Sequence, residues 1–220
     1  MEQRELLQRE LNILRDRALL MGGEVELAIQ RAVHALLQRD TAAANQVIER
    51  DSIIDQLELT LDQMAVDILT LRRPVGQQLR LVISVAKITP ILERIADHAS
   101  SVARVAVELN DEPELNEFFE VGEIASQVLE MLQKSLDAFS HNDADKARSI
   151  IALDSDIDHS YERTVNRIFD EMGHDAGRSA RLARLMLVAK HLERMGDYAK
   201  DICELTVYLK EAVFIKHQEQ

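Results

Sequence analysis

The sequence predicts an all-α protein of six helices, arranged as two tandem, pseudo-symmetric three-helix bundles. The first observation is composition: 220 residues include only seven Gly, three Pro, 4% aromatic residues and no Trp. Strand-rich folds use more aromatic and turn residues than this. The second is that long segments repeat apolar residues at steps of three and four, which is typical of bundle helices. The third is that the second half of the chain repeats the first.

The first half carries three helical segments. Helix 1 is predicted over 25–37, helix 2 over 47–71 and helix 3 over 81–109, from the spacing of their apolar residues. Asp40 precedes "TAAA" and is a candidate N-cap of helix 2. The stretch "RRPVG" at 72–76 contains Pro and Gly and should end that helix.

The second half carries three more. Helix 4 is predicted over 128–139, helix 5 over 150–172 and helix 6 over 182–202. Asp143 precedes "ADKA" as a second candidate N-cap, and "GHDAG" at 173–177 should end helix 5.

The two halves match in register. Asp51, Ser52, Ile54 and Asp55 recur 103 residues later, while "LERIADHA" (92–99) recurs 100 residues later as "LERMGDYA" (192–199). The second copy is therefore three residues shorter at its last turn. The stretch "NDEPEL" (110–115) separates the copies, which predicts two domains, 1–110 and 111–220.

Charge and composition exclude several classes of function. The net charge is −13 and the pI about 5.0, which disfavours a nucleic-acid-binding surface. One cysteine, Cys203, cannot form an intramolecular disulfide or a thiolate metal site. The charged N-terminal stretch is unlike a signal peptide, and no apolar run could insert into a membrane. A cytoplasmic protein is expected.

Acidic residues spaced four apart carry the main functional signal. Such like-charged pairs are unfavourable on a helix by roughly 0.2–0.5 kcal/mol each. Each copy nevertheless has two pairs, one on each of two helices joined by a turn. Asp55 and Glu93 are both 19 residues from Pro74, and Asp51 and Asp97 are both 23 residues from it. Because antiparallel helices rise equally per residue on either side of a turn, all four side chains are expected at about the same height along the hairpin. The same symmetry holds for Asp154, Asp158, Glu193 and Asp197.

These carboxylates predict two oxygen-rich cation sites. Two carboxylates 4 Å apart repel by about 4 kcal/mol at an effective dielectric near 20, which protons, cationic side chains or metal ions must relieve. The alternative is a solvated acidic stripe, or one balanced by lysines. Arg94 and Arg194 are expected to point about 100° away around their helices. Carboxylates suit hard ions such as Mg, Mn, Ca or Fe. The nearby His98, His159 and His191 do not match between copies and are expected to be surface residues.

Phosphate-binding loops, dinucleotide-binding motifs, zinc-protease motifs and nucleophile elbows are all missing from the sequence. No activated nucleophile can be recognised. The expectation is therefore a non-enzymatic protein. The alternatives are a carboxylate-bridged multinuclear metal enzyme of the oxidase or phosphatase type, and a helical scaffold that binds no metal.

The repeated Glu-Arg-x-x-Asp-x-Ala motif, each preceded by Asp-x-x-x-Asp on the previous helix, resembles the PhoU family. The resemblance extends to "MGGEVELAIQRAV" in helix 1 and "RDSIIDQLE" in helix 2. It implies two three-helix bundles that bind metal ions (Fe, Mn, Mg, Zn or Ca) on the acidic motifs. The implied ligands are the eight residues Asp51, Asp55, Glu93, Asp97, Asp154, Asp158, Glu193 and Asp197.

The resemblance also implies a function in phosphate homeostasis. Such proteins are cytoplasmic adaptors that restrain the phosphate ABC transporter through its ATPase subunit. They keep the phosphate-sensing histidine kinase inactive when phosphate is plentiful, and they are expected to be homodimers. Ala96 departs from the motif, where the second copy has Gly196, and Pro90 lies three residues before Glu93. A bend at Pro90 would distort the first site, so the second is expected to be the better one.

Overall fold

The protein is all-helical, as predicted, in the computed structural model, which describes residues 2–115 and 117–215. These residues contain no strand. The helices are α1 (Glu2–Leu37), α2 (Thr41–Arg72), α3 (Gln77–Asn110), α4 (Val121–His141), α5 (Ala144–Ile151), α6 (Asp154–His174) and α7 (Ser179–Glu211), with a 3₁₀ turn at Ala176–Arg178.

Both predicted N-caps are confirmed. The Asp40 side chain accepts a hydrogen bond of 2.9 Å from the backbone N–H of Ala43. Asp143 accepts one of 3.0 Å from the backbone N–H of Lys146. Each satisfies an amide that the first helical turn would otherwise leave without a partner. The α2–α3 turn also lies where predicted, since α2 ends at Arg72 and Arg73 adopts a left-handed conformation before Pro74.

The helix predicted over 150–172 is divided, which corrects the sequence analysis. α5 ends at Ile151 and α6 begins at Asp154. Between them the amide of Leu153 bonds to the carbonyl of Ile150, three residues back, so the helical pattern of bonds four residues apart is interrupted. Asp154 and Asp156 lie in the first turn of α6, where the positive end of the helix dipole favours them. Helix periodicity alone could not show the break.

One continuous apolar core runs through both halves of the chain. α3 packs against α1 and α2 in the first half, α7 packs against α4, α5 and α6 in the second, and α3 and α7 pack against each other. Leu92 and Leu192, the core leucines of the two repeated motifs, are both 0% exposed, as their positions in the heptad-like pattern predict. The division into domains at 110/111 stays a prediction.

α3 continues through Pro90 without a break. Pro90 has no N–H to donate to the preceding turn. The neighbouring Thr89 hydroxyl donates to the carbonyl of Val85 at 2.8 Å, inside the buried face. None of the described helices is long and apolar enough to cross a membrane.

Candidate metal centres

α2 and α3 bring the four predicted carboxylates of the first copy onto one shared surface, which we call the first cluster. Asp51 and Asp55 come from α2, and Glu93 and Asp97 from α3. The pKa of Glu93 is raised to about 7, first by burial and then by the neighbouring charges of Asp97, Glu58, Asp55 and Asp51, in that order of importance. The four carboxylates therefore lie close together on the α2–α3 hairpin, as their equal distances in sequence from Pro74 predict.

Burial is also the main cause of a raised pKa at Asp51, and the charges of Asp97 and Asp55 add to it. Ser100 opposes the effect. Its hydroxyl is 1% exposed, makes no hydrogen bond of standard geometry, and faces Asp51 closely enough to lower the pKa of that carboxyl. Arg104 lowers it at longer range.

Glu58 is a member of the first cluster that the sequence analysis missed. Burial raises its pKa, and so do the charges of Asp62, Asp55 and Asp97. Glu58 lies three residues after Asp55, on the same face of α2. That spacing was the available signal, but the second copy has Tyr161 at the matching position, so a search for repeated residues passed over it.

α6 and α7 bring together the second cluster, formed by Asp154, Asp158, Glu193 and Asp197. Burial raises the pKa of Asp158, followed by the charges of Asp154 and Glu193. Burial likewise raises the pKa of Asp197, followed by the charges of Glu193 and Asp154. Asp154 is a buried residue, 7% exposed, at the start of α6.

Cationic side chains lie inside the second cluster. Lys200 donates to Asp154 at 2.9 Å, and the Lys190 ammonium lies 2.7 Å from Glu193. Arg194 contacts Asp197 at 3.1 Å and Glu193 at 3.9 Å. The expectation that Arg194 points away from its cluster was wrong. Its long side chain extends along the surface of α7 to Asp197, the carboxylate three residues further along the chain.

The first cluster differs in this respect. Among the described residues, none of its four predicted carboxylates forms an ion pair with Lys, Arg or His within 4.0 Å. In those same parts of the chain, no three acidic, histidine or cysteine groups are arranged tightly enough to enclose a metal ion. The carboxylates of the first cluster share one surface but do not converge on a single point, as expected of like charges that repel each other.

The donor set of the first cluster fits a hard cation, since it offers carboxylate oxygen atoms, excess negative charge and the buried hydroxyl of Ser100, which faces Asp51 without a hydrogen bond of standard geometry. The second cluster fits one less well, because Lys200 donates to Asp154 and the Lys190 charge lies 2.7 Å from Glu193, although Oε2 of Glu193 itself is buried without a hydrogen bond. The expectation that the second site is the better one therefore has no support from this geometry.

His98 and His191 are half-buried between two helices, whereas the sequence predicts them on the open surface. They meet between α3 and α7 with their Nδ1 atoms 2.8 Å apart, and the His98 ring stacks on Tyr198. Burial lowers the pKa of both imidazoles, and the proximity of His191 lowers that of His98 further. Their different positions in the two motifs hid this contact, which depends on how α3 crosses α7. His159 is exposed, as expected.

Fold and clusters together define a duplicated helical-bundle protein in which each copy carries acidic side chains on a helical hairpin. The PhoU domain model matches residues 18–106 and again residues 121–206. The chain belongs to the PhoU family.

Relatives match over nearly the whole chain. A "Phosphate-specific transport system accessory protein PhoU homolog" from Pseudomonas aeruginosa is 40% identical over 209 residues, covering 94% of this chain and 86% of that protein. The "Phosphate-specific transport system accessory protein PhoU" of Escherichia coli K12 is 30% identical over 208 residues, with the same coverage of each chain.

Solved structures agree. The crystal structure of PhoU from Pseudomonas aeruginosa superimposes with a TM-score of 0.90 at 40% identity, covering 94% of this chain and 99% of that one. The PhoU regulatory protein of the phosphate transport system from Streptococcus pneumoniae gives 0.89 at 30% identity, covering 96% and 99%. The resemblance inferred from the two motifs is therefore confirmed.

Proposed function

We propose that this protein is a metal-binding, cytoplasmic regulator of phosphate homeostasis. It restrains the phosphate ABC transporter through the ATPase subunit and keeps the phosphate-sensing histidine kinase inactive when phosphate is plentiful. The observation that carries the proposal is membership of the PhoU family over both copies of the domain, with relatives named as accessory proteins of phosphate-specific transport. No catalytic constellation is required for such a role.

Metal binding is proposed for the first cluster. Asp51, Asp55, Glu93 and Asp97 would hold the ion, with Glu58 and Ser100 close by. A bound di- or trivalent cation would neutralise charge that now repels, and it would connect α2 to α3. The donor set admits Fe, Mn, Mg or Ca and also Zn, which accepts carboxylate ligands.

Gene deletion tests the regulatory role. In phosphate-rich medium, loss of the gene should raise expression of the phosphate regulon, and the wild-type gene supplied in trans should restore repression. Co-purification from cells grown in high phosphate should recover the transporter ATPase, the kinase or both. Unchanged regulon expression on deletion would refute the proposal.

A second candidate function rests on the same carboxylates. Acidic residues on the helices of a bundle are the setting of multinuclear metal enzymes, which turn over dioxygen or phosphoesters. Purified protein supplied with Fe, Mn, Zn or Mg should then consume dioxygen or hydrolyse an aryl phosphate, and Glu93→Gln should abolish that turnover. If no metal in the panel supports turnover, the protein is not such an enzyme.

The homodimer is proposed to form through α1. This helix exposes an apolar stripe at seven-residue spacing, with side chains 38–60% exposed: Leu6, Ile13, Leu20 and Leu27. Charges of both signs flank the stripe, as they do in a coiled-coil seam. If two copies pair in parallel, Asp16 of one lies level with Arg17 of the other, so that opposite charges meet.

Sedimentation measures this directly. Wild-type protein should sediment as a dimer and Leu20→Glu as a monomer, because a charge in the centre of the stripe would have to be buried. Leu59→Glu on α2 is the matched control, since Leu59 is also an exposed leucine (61%) but lies outside the stripe. A wild-type monomer, or a Leu20→Glu dimer, would contradict the assignment.

A further inference from the structure

The two acidic clusters occupy matching places in the two copies, and among the differences in their surroundings are two lysines that only the second copy has. The α7 motif is related to the α3 motif by 100 residues, so Lys190 corresponds to Pro90 and Lys200 to Ser100. Arg94 and Arg194 also correspond. Both lysines of the second copy are thus replaced in the first by residues that carry no charge.

Both lysines act on the second cluster. Lys200 donates to Asp154 across the α6–α7 interface at 2.9 Å, and the partly buried pair has side chains 25% and 11% exposed. Lys190 lies 2.7 Å from Glu193, whose side chain is 13% exposed. The Lys190 ammonium also lies 5.0 Å from the centre of the Tyr161 ring, which holds the lysine against α6.

The corresponding space in the first cluster offers oxygen instead of an amino group. Ser100 is 1% exposed, and its hydroxyl faces Asp51 without a hydrogen bond of standard geometry. Pro90 has an aliphatic ring, which can neither pair with Glu93 nor compete for it. Arg104 and Arg94 act on this cluster only from beyond ion-pair distance, so its carboxylate oxygens are left for an external cation.

We infer that Lys190 and Lys200 are built-in counter-cations of the second cluster, so this chain takes a hard metal ion at the first cluster and not at the second. The inference rests on the metal binding proposed above for the first cluster. The Lys200 ammonium donates a hydrogen bond to Asp154 and so occupies a lone pair that a metal ion would use, while the Lys190 charge 2.7 Å from Glu193 repels a second cation there without hydrogen-bonding to it. The duplicated protein then has one metal centre and one permanently neutralised copy of it.

Manganese content tests the difference between the clusters. The full-length protein is loaded with Mn²⁺, freed of excess metal by gel filtration, and analysed by elemental mass spectrometry. Glu93→Gln with Asp97→Asn should reduce bound Mn²⁺ to background, while Glu193→Gln with Asp197→Asn should leave the wild-type amount. Lys190→Ala with Lys200→Ser, which imitates the first cluster, should increase it. Equal losses in the two carboxylate variants, or no gain in the lysine variant, would overturn the inference.

Thermal unfolding in EDTA tests the difference in charge compensation between the two clusters without any metal present. Asp51→Asn removes repulsion from an uncompensated cluster and should raise the Tm by several degrees. Asp154→Asn removes the carboxylate that accepts from Lys200 and should lower the Tm, but it should have little effect when Lys200→Ser is already present. A rise in Tm for Asp154→Asn equal to that for Asp51→Asn would show that the second cluster is not neutralised. If wild-type protein retained no Mn²⁺ while these Tm changes appeared, proposed metal binding would fail and the charge asymmetry would stand.

Discussion

Gly22 on α1 packs against Leu136 on α4, one of the contacts that join the first half of the chain to the second. A Cβ atom added at Gly22 would lie 2.5 Å from Cδ1 of Leu136 and 3.1 Å from Cδ2. A side chain at position 22 would therefore have to displace the end of the buried Leu136 side chain. Gly23, the next residue, has nothing within 4 Å of its Cβ position. The two adjacent glycines have different reasons to be present.

These glycines supply a matched pair of variants. Gly23→Ala should raise the free energy of unfolding by about 0.5–1 kcal/mol, because alanine restricts the unfolded chain and favours the helix. Gly22→Ala has the same stabilising effect on the helix, but its Cβ must displace the Leu136 side chain. Its free energy of unfolding should therefore fall by roughly 1–3 kcal/mol. Urea unfolding of both variants measures the difference. Equal stabilisation by both substitutions would show that α1 and α4 are not in close contact.

The leucines of the repeated motifs should contribute equally to the core. Leu92→Ala and Leu192→Ala should each lower the free energy of unfolding by about 2–5 kcal/mol, since both side chains are 0% exposed. Leu187→Ala is the control on α7, because Leu187 is 55% exposed, and its effect should stay within about 0.5 kcal/mol. A loss below about 1 kcal/mol at either motif leucine would contradict its place in the core.

The first cluster should make metal-free protein less stable as the pH rises. Glu93 keeps its proton to a higher pH in the folded protein than in the unfolded chain, since its pKa is raised from 4.5 to about 7. The resulting stabilisation is complete below the unfolded pKa and is lost as the pH passes through the folded one. As the pH rises from about 5 to 8, the free energy of unfolding of Glu93→Gln should therefore increase relative to that of wild type. The increase should be about 1 kcal/mol, since solvent screens part of the effect.

Chemical denaturation in EDTA at several pH values measures that gain. Glu5→Gln on the exposed face of α1 serves as the control and should follow the wild-type pH dependence. A constant difference between Glu93→Gln and wild type across this range would mean that Glu93 ionises alike in the folded and unfolded chains.

Cys203 should be inert in the folded protein. Its thiol is 0% exposed, lies 3.1 Å from the hydroxyl of Ser135, and has a pKa raised by burial to about 11. Since the thiolate is the reactive form, a disulfide reagent at pH 8 should react at least a hundredfold faster after unfolding in urea. Rapid labelling of native protein would show that α4 and α7 separate readily at this point.

The sequence by itself determined the helical fold, the duplication and the family. Helix periodicity, the two Asp N-caps and the Pro and Gly at the turns are local signals, and they act within a few residues of where they stand in the chain. The level matching of the acidic residues could also be read directly, because antiparallel helices rise equally per residue on either side of a turn. The repeat does not indicate Glu58, because the second copy has Tyr161 at the matching position.

The tertiary structure decided what lies opposite each carboxylate. Lys200 reaches Asp154 only because α6 starts after the break at 152–153 and packs against α7. His98 and His191, 93 residues apart, meet only through the crossing of α3 and α7. A charge pattern gives the charges present on each helix, but whether a carboxylate is paired depends on distances of 3–4 Å between side chains on different helices. Those distances follow from packing, which sequence periodicity does not encode.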